Sequence, residues 1–178
     1  ARVGAPEAWE RSVGSSDVVL AVLDTGVDYR HGDLAANMWR NPGEIVGNGV
    51  DDDGNGFRDD VYGFDFAATA SGGNDADPMD IDSHGTHVAG IMSAAGDNGA
   101  GVCGVNWRAR IMALKGFRPD LHIYDSDCIE AIEYAVMMKR DRGVNLVAIN
   151  ASFGGGGSSP LQRDAIALAG DQGIAFVC

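Results

Sequence analysis

Two short segments of the sequence contain side chains that could move a proton to and from a reacting serine. Asp24 ends a continuous apolar run and opens Asp24-Thr-Gly26, while His84 opens His84-Gly-Thr-His-Val-Ala-Gly90. A serine hydroxyl is a poor nucleophile at neutral pH, so an imidazole must accept its proton during attack and later return it to the leaving group. A carboxylate on the other imidazole nitrogen sets the tautomer and stabilises the imidazolium. Asp24 and His84 fit these two roles, although a lone Asp-Thr-Gly is also typical of a turn.

The two side chains need a rigid scaffold, and the sequence predicts a parallel sheet. Apolar runs of strand length predict strands buried on both faces, at residues 18–23, 111–114, 146–149 and 174–177. Because helical patterns alternate with these runs, we expect an α/β fold in three layers, with a mostly parallel sheet flanked by helices. Functional groups gather at the carboxyl ends of such strands, and Asp24 directly follows the first of them.

The segment after Asp82 predicts a buried helix that presents a histidine. Small and apolar residues follow the histidine motif, so His84 should begin this helix and face a cleft in a fixed direction. Gly85 and Gly90 lack side chains, which would let another backbone approach the helix closely.

Two further helices are predicted between the later strands. Apolar residues recur at helical spacing in 126–142, and Ser126 or Asp127 could cap its start. Residues 160–172 form the second, with a proline in its first turn and Gly173 as its C-cap.

The composition excludes several classes of protein. The chain has 178 residues and a net charge of −13, from 13 basic and 26 acidic residues. That length suits one domain with a substantial core, and no apolar run reaches the ~20 residues of a membrane-spanning helix. A uniformly basic face is absent, which argues against nucleic-acid binding. Cys103, Cys128 and Cys178 lack the spacing of a zinc site, so they are buried thiols or include one disulfide.

An acidic segment lies within a long polar insertion at 37–76 and predicts a calcium site. A loop that long is usually functional or ion-stabilised. Its oxygen-bearing residues follow the spacing of an EF-hand loop, with Gly56 at the sixth position. The expected ligands are the side chains of Asp51, Asp53, Asn55 and Asp59 and the carbonyl oxygen of Phe57.

The acidic segment is not a true EF-hand. Tyr62 stands at position twelve, where an EF-hand has glutamate, so Asp60 or Glu44 must complete the shell. Hard oxygen ligands on a flexible loop suit Ca²⁺ better than Mg²⁺. The alternative is a solvated acidic turn, which is what most runs of charge are.

Three motifs in order resemble successive landmarks of the subtilisin-like serine proteases (subtilases, peptidase family S8). They are Ala21-Val-Leu-Asp-Thr-Gly-Val-Asp28, the His84–Gly90 motif and Ile149-Asn-Ala-Ser-Phe-Gly154. The resemblance extends over essentially the whole chain. It implies a subtilisin-like fold in which Asp24 and His84 are the first two members of an Asp-His-Ser triad, and it makes residues 1–178 the N-terminal portion of one catalytic domain.

The same resemblance implies an activity and a setting for the complete protein. It would be a secreted serine endopeptidase that hydrolyses peptide bonds in protein or peptide substrates through an acyl-enzyme. We expect it to be monomeric, to mature with a propeptide and to have lost its targeting segment. The 178 residues contain no Gly-Thr-Ser, the family's nucleophile motif, so the serine is expected beyond residue 178 and the fragment alone should be inactive.

By resemblance, Ser152, Phe153 and Gly154 bind substrate. The matching segment in subtilases is an extended edge that pairs with the substrate backbone, and Phe153 would help line a side-chain pocket. The alternative is a glycine-rich loop without a special role. The chain departs from the family at 117–124, where many subtilases are rich in glycine and serine, and there His122 could contact substrate or be a surface residue.

A second calcium site is also implied by resemblance alone. Asp33 matches a ligand of the family, and Asn98 matches its side-chain partner, with the carbonyl groups of Ala100 and Val102 nearby. Two other functions remain open from the sequence. One is a non-catalytic, calcium-binding module that kept the subtilase fold, and the other is a structural calcium protein, which the intact Asp24 and His84 motifs disfavour.

Overall fold

The computed structural model describes residues 3–67, 75–155 and 159–178. Within them, a sheet of five strands has the order β2-β3-β1-β4-β5, and every pairing between these strands is parallel. The strands are β1 (Val19–Asp24), β2 (Gly63–Asp65), β3 (Arg110–Lys115), β4 (Leu146–Asn150) and β5 (Ala175–Val177). The predicted parallel α/β fold is confirmed.

Helices cover both faces of the sheet and complete three layers. They are α1 (Ala5–Trp9), α2 (His84–Ser93), α3 (Asp125–Arg142) and α4 (Pro160–Asp171), and a short 3₁₀ turn spans Ala35–Asn37. On one face, Val22 and Ile111 pack with Ala89 of α2. α3 and α4 cover the opposite face, where Leu23 belongs to the same core cluster as Ile132 of α3 and Ala169 of α4.

Two strands differ from their predictions. β2 lies inside the segment that was expected to be a polar insertion. No apolar pattern predicts it, because it is only three residues long and is held by pairing with β3. Residues 68–74 of that segment lie outside the described part. β5 was expected to be buried on both faces, but Ala175 and Val177 are exposed. It is an edge strand among the described residues, and Ile174 just before it is buried.

The helix ends follow the predictions only in part. The expected capping of α3 by Ser126 or Asp127 is wrong, because the helix begins at Asp125 without a side-chain cap. Asp127 instead lies in the first turn, where it is buried and pairs with Arg118.

The predicted start of α4 is confirmed, and its end lies one residue earlier than predicted, at Asp171 with Gln172 as the C-cap. Pro160 occupies the first turn, and the Ser159 hydroxyl accepts a hydrogen bond of 3.3 Å from the Gln162 N–H. Gly173 follows the helix with a φ of 70°, a left-handed conformation that favours glycine.

Two predictions concern the state of the cysteines and the absence of a membrane-spanning helix. All three cysteines are free thiols, and only Cys128 is buried, so the expectation of buried thiols is wrong for Cys103 and Cys178. Across the described ranges, no helix is both long and apolar enough to cross a membrane.

Candidate active site

Asp24 is placed by the central strand of the sheet. It is the last residue of β1, in register with Lys115 of β3, and it is fully buried. After β1 the chain adds β2 and β3 on one side of it, and then β4 and β5 on its other side. Asp24 therefore lies at the point where the strand order reverses, which is where ligands bind in open parallel sheets.

Asp24 and His84 form a hydrogen-bonded pair, as the sequence predicts. His84 Nδ1 lies 2.7 Å from Asp24 Oδ1, and the Thr25 N–H donates to the same oxygen over 2.7 Å. Asp24 Oδ2 is buried and has no hydrogen-bond partner among the described residues. The imidazole is the first side chain of α2 and is 48% exposed. With Nδ1 held by the carboxylate, Nε2 is the nitrogen left free to take a proton from an incoming group.

The pair changes the acidity of the imidazole. The hydrogen bond that His84 donates to Asp24, followed by the negative charge of Asp24, raises the pKa of His84 above the ordinary 6.5. The charges of Asp82 and Asp80 act in the same direction, and burial acts against them. The carboxylates therefore stabilise the imidazolium, which is the state that a general base reaches during attack.

The two glycines of the histidine motif have different environments. A Cβ atom on Gly85 would lie 2.1 Å from the Gly26 carbonyl oxygen and 3.0 Å from Asp24 Cβ. Close backbone approach at Gly85 is therefore confirmed, and it brings α2 against the loop that follows β1. A Cβ atom on Gly90 would meet no atom within 4 Å, so the same expectation is wrong for Gly90.

Ser152, Phe153 and Gly154 leave the sheet directly after β4. The Ser152 hydroxyl accepts a hydrogen bond of 2.8 Å from the Asn150 side-chain amide. Within the described ranges, the backbone N–H groups of these three residues donate no hydrogen bond to another backbone group. Gly156 and Gly157, in the glycine-rich run that follows, lie outside the described residues. These backbone N–H groups are therefore available to another strand.

A cleft of about 680 Å³ borders this segment. Phe153 contacts Phe117 edge-on, with ring centroids 5.2 Å apart. The lining combines apolar and aromatic side chains (Phe117, Tyr124, Phe153, Ile166 and Phe176) with polar ones (His122, Asp125, Ser159 and Gln162). The cleft can hold an apolar side chain of a bound peptide.

The segment 117–124, where the chain departs from the family pattern, forms one wall of this cleft. Arg118 reaches the buried Asp127 over 3.1 Å and also lies over the Tyr124 ring, 4.1 Å from its centroid. These contacts tie the segment to α3. His122 is 74% exposed on the rim of the cleft, a position that fits both interpretations considered for it.

Three of the expected calcium ligands come together in the acidic loop. One oxygen from each of Glu44, Asp51 and Asp53 lies within 4.8 Å of the others. The nearest cation is the Arg142 guanidinium, 3.8 Å from Asp53 and itself partly exposed. Three carboxylates so close together repel one another unless a cation lies between them, and hard oxygen donors are what Ca²⁺ prefers. The residues present therefore fit a calcium ion.

The other expected ligands have partners of their own. Asn55 Oδ1 accepts a hydrogen bond from the Phe57 N–H, so both residues help to shape the loop. The Asp59 carboxylate accepts hydrogen bonds from the N–H groups of Asn48 and Gly49. The Asn55 N–H donates to Asp51 and Asp53, and the Asp59 N–H donates to Glu44, so both residues contact the carboxylate cluster through backbone hydrogen bonds.

Asp60 connects the acidic loop to α3 through a buried hydrogen bond. It is fully buried, and its Oδ2 accepts a hydrogen bond of 2.6 Å from the Tyr134 hydroxyl. Side-chain amides of Asn41 and Asn55 donate to its two oxygens. Burial raises the pKa of Asp60 to about 6, although these hydrogen bonds oppose the shift.

The second candidate calcium site is less well assembled. Asp33 is buried, and its Oδ2 accepts a hydrogen bond of 3.0 Å from the Val102 N–H. A Cβ atom on Gly101 would collide with the Asp33 carboxylate. Asn98 Oδ1 instead accepts a hydrogen bond from the Ala100 N–H, so it shapes the neighbouring loop.

Asp80 is the residue that sequence reasoning missed. Its carboxylate accepts hydrogen bonds from Thr25, beside Asp24, and from Thr86, in the helix of His84. An aspartate just before a predicted helix is a candidate cap, and that was the only available signal. Its contact with Thr25 spans 55 residues and depends on the tertiary fold.

The comparisons with known proteins assign the family. Residues 15–178 match the model described as the Subtilase family (Peptidase_S8). Subtilisin-like protease 1 of Plasmodium vivax is 42% identical over 120 residues, which are 66% of this chain and 18% of that protein. The major intracellular serine protease of Bacillus subtilis is 33% identical over 178 residues, covering 99% of this chain and 46% of that protein. This chain belongs to the subtilase family, whose named relatives here are serine proteases.

Solved structures agree with the fold. Sphericase has a TM-score of 0.74 and 26% identity, over 98% of this chain and 50% of that one. A protease from Pseudoalteromonas arctica has a TM-score of 0.76 and 28% identity, over 98% of this chain and 52% of that one. The chain thus spans about half the length of these structures and between 18% and 46% of the two curated relatives.

Proposed function

We propose that the complete protein is a serine endopeptidase in which His84 is the general base and Asp24 its orienting carboxylate. The observation that carries the proposal is the 2.7 Å contact between His84 Nδ1 and the buried Asp24 Oδ1. The nucleophilic serine belongs to a part of the protein outside these 178 residues, which form the N-terminal portion of one catalytic domain.

The geometry supports a sequence of proton movements at His84. Nε2 takes the proton of the serine hydroxyl as the oxygen attacks the peptide carbonyl carbon. Asp24 stabilises the imidazolium that forms, and the same proton then passes to the leaving amine. Water repeats the cycle on the acyl-enzyme, with His84 again accepting and returning the proton.

The substrate is a protein or peptide in extended conformation. Its backbone pairs with the free edge at Ser152, Phe153 and Gly154, so that main-chain hydrogen bonds give affinity independent of sequence. A side chain of the substrate enters the cleft beside the Phe153 ring. The support for this placement is the available backbone N–H groups after β4 and the 680 Å³ cleft that borders them.

The protein matures with a propeptide, acts as a monomer and is exported. Export needs its own test, because a Bacillus subtilis relative is named an intracellular protease. Fractionation of the producing cells decides it. The mature protein is expected in the medium, and its confinement to the cell lysate would contradict export.

The proposed activity is tested by comparing the full-length gene product with the 178-residue chain. The full-length protein should cut internal bonds of an unfolded protein substrate, with the cut sites read by mass spectrometry. The 178-residue chain should give no turnover, since it lacks the nucleophile. A folded full-length protein that binds Ca²⁺ but cleaves nothing would favour the alternative, a non-catalytic calcium-binding module.

We also propose that Ca²⁺ binds the acidic loop, with Glu44, Asp51 and Asp53 as its central ligands. Asn55, Phe57, Asp59 and Asp60 hold the loop in shape or add a ligand when the ion is bound. Asp33 and Asn98 form a second, weaker site. The support is the cluster of three carboxylates within 4.8 Å.

Removal of Ca²⁺ is expected to destabilise the full-length protein. An ion present at 100 times its Kd stabilises the folded state by about 2.7 kcal/mol, and a chelator removes that contribution. Thermal unfolding with and without chelator measures the loss. Asp51→Asn should abolish most of the calcium-dependent shift, because it removes one ligand charge with little change of shape.

The matched control for the calcium experiment is Asp164→Asn, which neutralises an exposed carboxylate of α4. Its calcium-dependent shift should equal that of the wild type. Equal shifts for Asp51→Asn and Asp164→Asn would exclude the acidic loop as the stabilising site.

A further inference from the structure

Asp80 connects the two segments that carry Asp24 and His84. Its Oδ1 accepts a hydrogen bond of 2.8 Å from the hydroxyl of Thr25, the residue after Asp24. Its Oδ2 accepts one of 2.8 Å from the N–H of Thr86, in the first turn of α2, and another from the Thr86 hydroxyl. One carboxylate therefore holds the end of β1 and the start of α2 together.

The same carboxylate also fixes the backbone that enters α2. Asp80 Oδ1 accepts hydrogen bonds from the N–H of Asp82 over 2.9 Å and from the N–H of Ser83 over 3.0 Å. Ser83 has a φ of 79°, a conformation that side-chain-bearing residues rarely adopt, and it offers no side-chain cap to the helix. Asp80 accepts from the backbone just before α2 and from Thr86 in its first turn, and so helps to set the direction in which His84 leaves the backbone.

Thr25 passes this constraint directly to the catalytic pair. Its N–H donates to Asp24 Oδ1, the oxygen that also meets His84. Its hydroxyl oxygen accepts a hydrogen bond of 3.0 Å from the Gly85 N–H. A shift of Thr25 would therefore move both the carboxylate of Asp24 and the helix that carries His84.

We propose that Asp80 is a positioning residue for the Asp24–His84 pair: it clamps Thr25 to Thr86 and thereby holds the imidazole at hydrogen-bond distance from its carboxylate. The inference rests on the proposed function, since a positioning role has meaning only if the pair is catalytic. Asp80 itself contacts neither the imidazole nor a reacting atom in this structure.

The clamp requires an anion that only accepts hydrogen bonds. Burial is the largest influence on the pKa of Asp80 and would raise it, but hydrogen bonds from Thr86, Asp82 and Thr25 outweigh it and lower the pKa below 3.8. The carboxylate is therefore ionised wherever His84 is neutral. Asparagine has nearly the same shape, but its NH₂ group must face a donor in either orientation. Asp80→Asn thus breaks the clamp without creating a cavity.

The test uses the full-length gene product with a peptide substrate and an active-site titrant. For Asp80→Asn, kcat per titrated site should fall about 100-fold with little change in KM, because small misplacements of catalytic groups cost about this much. The acid limb of the kcat/KM profile should move to lower pH, since a looser contact with Asp24 raises the His84 pKa less. The acidic groups acting on His84 are Asp24, Asp82 and Asp80, and Asp82→Asn controls for simple loss of charge.

Asp82→Asn should keep kcat within about threefold of the wild type, because its side chain is exposed and a single exposed charge has a weak effect. A second pair of variants guards against misfolding of Asp80→Asn. Thr86→Val removes the hydroxyl that donates to Asp80 and should lower kcat about tenfold, the effect of losing about one hydrogen bond. Thr86→Ser keeps the hydroxyl and should restore kcat to within about threefold, since the hydrogen bond is retained.

Three results would overturn the inference. The first is Asp80→Asn with kcat per titrated site near that of the wild type and an unmoved acid limb, which would leave only a structural role. The second is Thr86→Val indistinguishable from Thr86→Ser. The third is a folded wild-type protein that neither cleaves peptides nor reacts with the titrant, and this result alone would overturn the proposed function as well.

Discussion

Replacing Asp24 with asparagine is expected to lower kcat of the full-length protein about 10⁴-fold, the effect known for loss of the orienting carboxylate in a serine triad. Asparagine is uncharged and so cannot stabilise the imidazolium. Its NH₂ group can also donate to His84 Nδ1, which leaves the proton on Nε2, where the base is needed. His84→Ala removes the base itself and should cost at least as much. Both variants should remain folded, because His84 is half exposed and asparagine nearly matches aspartate in volume.

The pH profile gives a second readout for the same pair. The pKa of His84 is raised above 6.5, chiefly by the hydrogen bond that His84 donates to Asp24. Since a general base must be neutral to act, kcat/KM of the wild type should rise with pH through this raised pKa and reach its plateau above it. The acid limb of the Asp24→Asn profile should lie at lower pH than that of the wild type, because the main cause of the raised His84 pKa has been removed.

His87→Ala is the matched control for the catalytic pair. His87 is exposed, lies on the same helix three residues after His84 and belongs to the same motif. Its removal should leave kcat within about threefold, since substitutions of exposed residues away from special features have small effects. Equal losses for His84→Ala and His87→Ala would mean that the motif matters for folding and not for proton transfer.

Substitution of Gly85 with alanine is expected to abolish activity and lower stability. The new methyl group would lie 2.1 Å from the Gly26 carbonyl oxygen, well inside contact distance, and near Asp24 Cβ. Neither neighbour is the end of a flexible side chain, so α2 and the loop after β1 must move apart. Overpacking of this kind costs about 1–3 kcal/mol or more, and the movement separates Asp24 from His84.

Gly90→Ala supplies the comparison for Gly85→Ala within one helix. A methyl group on Gly90 has open space, and alanine is favoured over glycine in a helix by about 0.5–1 kcal/mol. The Gly90 variant should therefore be active and slightly more stable in thermal unfolding. Gly85→Ala with wild-type kcat and unfolding temperature would contradict the close approach of the two backbones.

The contact between Asp24 and His84 was predictable because its signals are local. Asp24 ends a strongly apolar run, and His84 precedes a run of small residues, so each side chain had a defined place on a strand end or a helix start. The packing of α2 against β1 then brings the two positions together. The bounds of α4 were predictable to within one residue for the same reason, since Pro160 and Gly173 are strong local signals.

The features that escaped prediction depend on distant contacts. β2 exists because three residues pair with β3, and no three-residue pattern can reveal that. The start of α3 was predicted one residue too late. Asp127, which was a predicted cap, is instead held by Arg118, nine residues earlier in the sequence. Asp80 was missed because its meaning lies in Thr25 and Thr86, which its own neighbourhood in the sequence does not identify.

The acidic loop lies between these cases. The spacing of Asp51 and Asp53 is visible in the sequence, and Glu44 was expected as a completing ligand. Which oxygens turn toward an ion depends on partners supplied by the fold. For example, Tyr134 and Asn41 donate hydrogen bonds to the Asp60 carboxylate, and a backbone N–H group donates to the Asp59 carboxylate.

The most direct test of the central claim is the reaction of the full-length protein with a serine-directed phosphonyl fluoride, followed by mapping of the labelled residue. The account predicts rapid labelling of one serine outside the 178 residues, and labelling about 10³-fold slower or more in His84→Ala, because the hydroxyl then lacks its base. Absence of labelling in the folded wild-type protein, or equal rates in wild type and His84→Ala, would contradict it.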